Sequence, residues 1–365
     1  MCSPVKRIAV LIDTLNGGGA EKVCLTLVNA MRDQGIDCHL IVLKKKCSYE
    51  LGEKDHIHFI YENAKTKLYR RSVQIDAAKK IKHLISSLGN FDAYFSNLDE
   101  THAIVAKANL TNCFYVIHNS VEKTLQAHRR LGPIKYWRHR KMIKVLNNKA
   151  LITVSEGIKK ELENGKLIHS NNITSIYNPI DIAQIQSDSD EKIAEIPNRP
   201  YIIYLGRIAK QKRIDILIQS FQQVKSDVDL VILTNNRRKL NNIIKKYNHK
   251  NKNIICHDFK QNPYPWIKQA QTLVLSSDFE GLGMVLIEAL ACGTAVVSTD
   301  CPHGPSEILT DELSKFLVPP GSPKKLAEAI DSSMTQGLTS PKILDKVDLS
   351  RVVSEYLKLL ENQQP

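Results

Sequence analysis

The chain has no apolar run long enough to cross a bilayer. The first candidate, IAVLI from Ile8 to Ile12, stops at Asp13 and is not followed by a small-residue cleavage site. The sequence therefore predicts neither a signal peptide nor a transmembrane anchor. Cysteine occurs eight times (2, 24, 38, 47, 113, 256, 292, 301) but never as C-x-x-C, and Cys24 and Cys292 fall inside apolar helical patterns. That usage argues against a disulfide framework or a zinc site and suits reduced thiols used as small apolar residues. Acidic residues are also short: 38 Asp and Glu stand against 51 Lys and Arg, for a net charge of +13. Such an excess implies an anionic partner, whether nucleic acid, phosphates or a membrane surface. The aromatic stacking motifs and zinc spacings of nucleic-acid-binding modules are missing, which weakens the first of these.

What is present is a repeated α/β theme. The opening KRIAVLIDTLNGGGAEKVCLTLVNAMRDQGIDCHLIVLKKK runs from an apolar strand into a glycine turn, then an apolar-striped helix and a second strand. The runs AYFSN, CFYVIHN and ALITVS alternate with helical segments, as in a mostly parallel sheet. After the acidic, Pro-bounded stretch QIQSDSDEKIAEIPNRP the theme returns in YIIYLGRIAKQKRIDILIQSFQQV, DLVILT, TLVLSS and TAVVST. At 365 residues the chain suits two domains. The expected layout is a first Rossmann-like domain over 1–185, a linker over 186–200, a second Rossmann-like domain over 201–345 and a closing helix over 346–365, with Val352, Tyr356 and Leu359 on one face of that helix. Two doubly wound domains facing across a cleft are the fold this predicts, with ligands at the carboxyl ends of the strands.

The segment SSDFEGLGMVLIEALACGTAVVSTD places Glu280 in a loop and Glu288 inside the helix that follows. A helix starting near Gly283 leaves the amides of Gly283, Met284 and Val285 without intrahelical acceptors, an anion site suited to a diphosphate. Glu288 is a candidate to accept from ribose hydroxyls and Glu280 from sugar hydroxyls on the other side of the phosphates; the alternative from this spacing is that Glu280 caps the helix dipole and Glu288 is a solvated helix position. In YLGRIAKQKRID, Arg207 and Lys212 follow a strand end and can hold the diphosphate and stabilise charge on a departing nucleotide. His118 in VIHNS closes a strand of the first half, and Gly17, Gly18 and Gly19 let backbone approach a ligand. The glycine loop is no P-loop, since no G-K-[ST] follows it. It also departs from the dinucleotide fingerprint, whose sixth position is Lys22 here and whose second strand ends in Lys44 to Lys46 rather than an acid.

FEGLGMVLIEALACGTAVVSTD resembles the E-x7-E signature of retaining glycosyltransferases of family 4, which have the GT-B fold. GGGAEK, VIHNS, ITVSEGIKKEL, IYNPID and LGRIAKQKRID are similar to that family's other markers, in its order. GLG at Gly281 to Gly283 stands where the family usually has GFG, and TDCPHGPSEIL resembles the branch that builds bacterial lipopolysaccharide, surface polysaccharide or lipid-linked glycans. The resemblance implies a transferase moving a hexose or N-acetylhexosamine from a UDP-sugar to a lipid-linked or lipopolysaccharide acceptor, with retention. It implies front-face attack, Glu288 on the ribose, Glu280 and His118 beside the donor sugar, and Arg207, Lys212 and the amides from Gly283 to Val285 on the diphosphate. It places Gly17 to Gly19 near donor phosphate and acceptor, and Asn178 near the hinge. No metal or other cofactor is expected, because DSD and DVD do not stand at a strand's carboxyl end. The alternatives are a basic nucleic-acid-binding protein or another GT-B enzyme such as a phosphorylase or epimerase.

From Val121 to Lys149 there are nine Lys and Arg against one Glu, with Tyr136 and Trp137 beside Arg138, Arg140 and Lys141. Met142, Ile143 and Leu146 follow at helical spacing. The pattern predicts a basic amphipathic helix against an anionic membrane surface, and a cytoplasmic protein peripheral to the inner face of that membrane.

Overall fold

A computed structural model of the chain describes residues 6–49, 56–250, 252–334 and 341–361. It divides into two compact units, Met1–Ile180 with Val347–Pro365, and Asp181–Lys346.

The first unit is built on seven parallel strands, β1 (Arg7–Ile12), β2 (Asp37–Lys44), β3 (Ile57–Tyr61), β4 (Ala93–Asn97), β5 (Cys113–Ile117), β6 (Ala150–Thr153) and β7 (Ile173–Ser175), in the order β3-β2-β1-β4-β5-β6-β7. Parallel strands need crossover connections, and helices supply most of them, although among the described residues none stands between β2 and β3. The central strands are covered on both sides and read as near-continuous apolar runs, Ile8 to Ile12 having no exposed surface at all, whereas the edge strands β3 and β7 are only half-buried. The chain runs outward from β1 to β3 and then returns to β4 on the other side. Its order reverses between β1 and β4, where doubly wound sheets open a crevice at their carboxyl ends.

The second unit repeats the plan with β8 (Tyr201–Leu205), β9 (Asp229–Leu233), β10 (Ile254–His257), β11 (Thr272–Leu275), β12 (Ala295–Thr299) and β13 (Leu317–Val318). These strands, also parallel, lie in the order β10-β9-β8-β11-β12-β13, so the reversal falls between β8 and β11.

The division of the chain differs from the sequence expectation at two places. Residues 186–200 are not a free linker. The Ile182–Asp188 helix begins the second unit, and the acidic stretch after it is tied down there. Asp190 pairs with Lys268 at 2.5 Å, Glu195 with Lys260 at 2.5 Å, and Ile196 is buried. Acidic side chains beside a basic surface find partners, and that turns a polar stretch into packed chain. The closing helix, Leu349–Glu361, belongs to the first unit. It packs on the Gly19–Asp33 helix, buries Val352, Val353 and Tyr356, and sets the Tyr356 ring edge-on to Phe95 at 4.9 Å. Leu359, expected on the same face, is half-buried. The outgoing and returning chain lie side by side, with Ile180 N–H donating to the Val347 carbonyl at 2.8 Å.

The basic segment is two helices, Val121–Arg129 and Pro133–Ile143, separated by Gly132 at a φ of 109° and followed by a 3-10 turn, Lys144–Leu146. Of the apolar stripe expected there, Ile143 and Leu146 are core residues, exposed by 4% and 2%, so those side chains do not face outward. The exposed apolar side chains are instead Leu131, Ile134 and Trp137, at 59%, 83% and 62%. No helix among the described residues is long and apolar enough to cross a membrane.

Candidate active site

Two loops leave the carboxyl ends of the adjacent strands β8 and β11, at the reversal of the second sheet. The first, Gly206 to Arg213, holds Arg207 and a 3-10 turn, Lys210–Lys212. The second, Ser276 to Gly283, leads into the Met284–Ala291 helix. They are stitched together. Asp278 N–H donates to the Gln211 carbonyl at 2.8 Å, the Gln211 amide to the Phe279 carbonyl at 2.7 Å, and Arg213 bridges Asp215 and Asp278. Arg213 and its neighbours therefore brace the loop.

Within this frame Lys212 Nζ lies 2.7 Å from Glu280 Oε1, and Ser277 Oγ donates to the same oxygen at 2.5 Å. Glu280 is only 6% exposed, and its own N–H donates to the Pro302 carbonyl at 3.2 Å. An ion pair this buried is oriented rather than merely attracted, because leaving either partner unpaired there is costly. Gly283 caps the helix at φ 91°, ψ 48°, the left-handed region that suits glycine, and Leu286 N–H donates back to its carbonyl at 2.9 Å. The amides at the start of a helix have no acceptor within it and carry the positive end of its dipole. Glu288, about one turn along the same helix, is 8% exposed and accepts a 3.5 Å contact from the Tyr264 hydroxyl. Arg207 is exposed on the β8 loop, where its carbonyl accepts from Tyr204 at 3.3 Å.

The structure thus joins Lys212 to Glu280 directly and carries Gly283, Met284, Val285 and Glu288 on the element that follows. The two D-x-D matches stand elsewhere. Asp188 ends the Ile182–Asp188 helix, while Asp227 and Asp229, at the amino end of β9, both pair with Arg199.

In the first unit a cavity of about 390 Å³ lies by the carboxyl ends of β1 and β5 and is lined by Asp13, Asp99, His118, His128, Arg138 and His139 among others. His118 follows β5, and its Nε2 lies 2.8 Å from Asn97 Oδ1. Asn97 spends its amide nitrogen on the Leu11 and Phe95 carbonyls, at 3.2 and 3.1 Å, so its oxygen accepts and His118 Nε2 carries the proton. The lone pair is then on Nδ1, and burial lowers the imidazole pKa to about 4, leaving it neutral near pH 7. Asp13 accepts from the Thr101 backbone and hydroxyl, yet burial outweighs those bonds and raises its carboxyl to about 7. Gly17, Gly18 and Gly19 stand outside the cavity lining. Gly18 caps the Gly19–Asp33 helix under the Glu21 carboxylate, which occupies the space a Cβ would need. Asn178 is buried just before Ile180, where the first unit's long segment ends.

Sequence reasoning missed the pocket's carboxylates and its further histidines. Asp13 was legible only as the residue that stops the first apolar run. Its place after the strand nearest the sheet reversal is the signal that points to it. It also missed the loop at Pro302 to Gly304 that backs Glu280, although TDCPHGPSEIL was recognisable as a motif.

Residues 17–184 match the family model for Glycosyltransferase Family 4, and residues 185–346 that for Glycosyl transferases group 1. Among similar curated proteins is the N-acetylgalactosamine-N,N'-diacetylbacillosaminyl-diphospho-undecaprenol 4-alpha-N-acetylgalactosaminyltransferase of Campylobacter jejuni, 27% identical over 97% of this chain and 100% of its own. The lipopolysaccharide 1,6-galactosyltransferase of Escherichia coli is 24% identical over 86% of this chain and 85% of its own. A crystal structure of Anabaena HepE in complex with UDP-glucose has the same fold, with a TM-score of 0.76 at 17% identity over 98% of this chain and 99% of that one. Two Rossmann-like parallel-sheet units, each matched by its own half of one family's pattern, make the chain a glycosyltransferase of family 4 with the GT-B fold.

Proposed function

We propose that this glycosyltransferase moves a hexose or N-acetylhexosamine from a UDP-sugar to a lipid-linked or lipopolysaccharide acceptor of bacterial surface glycan synthesis, with retention of the donor's anomeric configuration. The observation that carries the reading is the buried Lys212–Glu280 pair beside the amino end of the Met284–Ala291 helix, at the reversal of the second sheet. A nucleoside diphosphate lodged there meets the first-turn amides and the cations of Lys212 and Arg207. These neutralise the charge that grows on the departing diphosphate, so no metal ion is assigned to that task. Glu288, held near Tyr264, accepts from the ribose hydroxyls. Glu280, oriented by Lys212 and Ser277, accepts from the sugar. In the first unit His118 is neutral with its lone pair on Nδ1, suited to accepting a hydroxyl hydrogen in the pocket it lines. The leaving phosphate takes the acceptor's proton on the face where the new bond forms.

Names of the relatives support the acceptor class: the Campylobacter protein's refers to an undecaprenol diphosphate glycan and the Escherichia coli protein's to lipopolysaccharide. Such acceptors sit at a bilayer. Leu131, Ile134 and Trp137 stand exposed among Arg129, Arg130, Lys135, Arg138 and Lys141, a composition suited to the anionic cytoplasmic leaflet of a membrane.

Purified protein supplied with candidate UDP-sugars and a lipid-linked acceptor should release UDP. Glu288→Ala should bind UDP at least about tenfold more weakly, as expected when hydrogen bonds to a buried charged group are lost. Unchanged UDP affinity in that variant removes the ribose role. Salt-dependent nucleic-acid binding with no UDP binding by the parent protein overturns the reading as a whole.

A further inference from the structure

At the amino ends of β2 and β3, the opposite end of the first sheet from His118, four ionisable side chains converge. β2 opens with Asp37 and His39, and the edge strand β3 is entered through His56 and carries His58. Side chains two apart share a strand face, and the register sets Leu40 beside Ile57, with Leu40 N–H donating to the His56 carbonyl at 3.1 Å. The two pairs therefore lie side by side. His39 Nε2 is 2.9 Å from Asp37 Oδ1, His56 Nδ1 is 3.6 Å from the same oxygen, and the His39 and His56 ring centroids are 4.5 Å apart.

We propose that Asp37 Oδ1, His39 Nε2 and His56 Nδ1 bind a divalent transition-metal ion of the zinc class, which clips the edge strand β3 to β2. One donor atom from each residue lies within 4.8 Å of the others. Tetrahedral bonds of about 2.0–2.1 Å put neighbouring donors roughly 3.3 Å apart, between the two separations observed from Asp37 Oδ1. Imidazole with carboxylate is a donor set for zinc, nickel or copper rather than for magnesium or calcium. The surroundings hold these donors in place. Arg7 Nε takes Asp37 Oδ2 at 2.6 Å, which fixes the carboxylate and presents Oδ1. His39 Nδ1 lies 2.9 Å from His58 Nε2, and their rings are stacked 5.2 Å apart at 7°. A histidine that donates its second ring N–H to a neighbour is oriented for ligation through the first.

With metal bound, the His39 proton sits on Nδ1 and is donated to His58 Nε2, while His58 keeps its own proton on Nδ1. The neutral rings exchange tautomers and release no net proton. His39 is 6% exposed and forms the floor, whereas the His56 side chain is 58% exposed and leaves the fourth position open to water. The nearby Arg7 cation opposes a dication, so the affinity expected is micromolar rather than that of a closed thiolate site. The cysteine spacings that speak against a zinc site in the sequence do not bear on donors drawn from two adjacent strands.

The full chain, stripped with chelator, should take up one equivalent of Zn²⁺ with a rise in Tm. With Co²⁺ it should show weak visible bands of nitrogen and oxygen ligation and no thiolate charge-transfer band. His56→Gln, altering an exposed side chain, should weaken binding at least about tenfold. His58→Gln, a positioning change, should weaken it by about 10–100-fold. Cys47→Ser should leave binding unchanged. Absence of stoichiometric uptake, a thiolate band, or a His56→Gln protein that binds as tightly as the parent would overturn the assignment. Activity with nucleotide sugars is not the readout, so this outcome is independent of the donor-site reading.

Discussion

Lys212 and Glu280 stand 68 positions apart in sequence, yet their side chains meet at 2.7 Å. Each was identifiable as a candidate from its own loop, Lys212 as a cation after a strand and Glu280 as an acid before a helix. Their pairing was not, because it depends on β8 and β11 being neighbours in the sheet. The opposite case is the pocket of the first unit, where burial decides the chemistry. It lowers His118 and His139 to about 4 and His102 to about 3, while raising Asp13 to about 7. As pH falls below about 6.5 the unfolded chain protonates these histidines before the folded one does, so their contribution to stability declines down to about pH 4. Asp13 works the other way. Between about 4 and 7 the folded state holds a proton the unfolded state has lost, and stability declines as pH rises. Asp13→Asn should therefore raise Tm relative to the parent at pH 8, and that gain should vanish as pH falls toward 4. Thermal melts across this range check it, and a gain independent of pH would refute the assigned shift.

At the scale of elements, the start of the Met284–Ala291 helix is held from behind. The loop after β12 passes beneath Leu282, and Pro302 accepts from Glu280 N–H. Gly304, at φ 85°, sits so close to the Leu282 carbonyl that a Cβ would overlap it. Gly304→Ala should shift the Gly281–Gly283 turn, cost about 1–3 kcal/mol as strained positions do, and weaken UDP binding. A lowered Tm with weaker UDP binding by calorimetry is the expected pair of results. The basic segment shows how an element can follow its composition and still depart from its pattern. A single amphipathic helix was the natural reading, but Gly132 and Pro133 break it, and Ile143 and Leu146 turn into the core.

For the molecule as a whole, the charge of +13 is a statement about partners rather than fold. If the exposed Leu131, Ile134 and Trp137 dip into a bilayer while the surrounding cations meet its headgroups, sedimentation with vesicles should depend on anionic lipid and weaken with salt. Trp137→Ala should reduce the bound fraction, leaving UDP affinity unchanged. Equal binding to neutral and anionic vesicles would refute the proposed contact. The path of the chain belongs to this scale too. Leu349–Glu361 reads as a closing helix from its apolar face, but only packing against Gly19–Asp33 and Phe95 assigns it to the unit that opens the chain.

Local pattern was enough for the α/β class, the doubling of the theme, the strands and the helix starting by Gly283, because alternation, glycine turns and apolar stripes act over a few residues. The same local reading isolated Arg207, Lys212, Glu280, Glu288 and His118 as residues of interest. Only tertiary structure decided that Lys212 grips Glu280, that Asp13 and four histidines gather in the first unit, and that Asp37, His39 and His56 meet at a sheet edge. Those outcomes follow from strand order and burial, which bring together groups distant in sequence and set the cost of their charges.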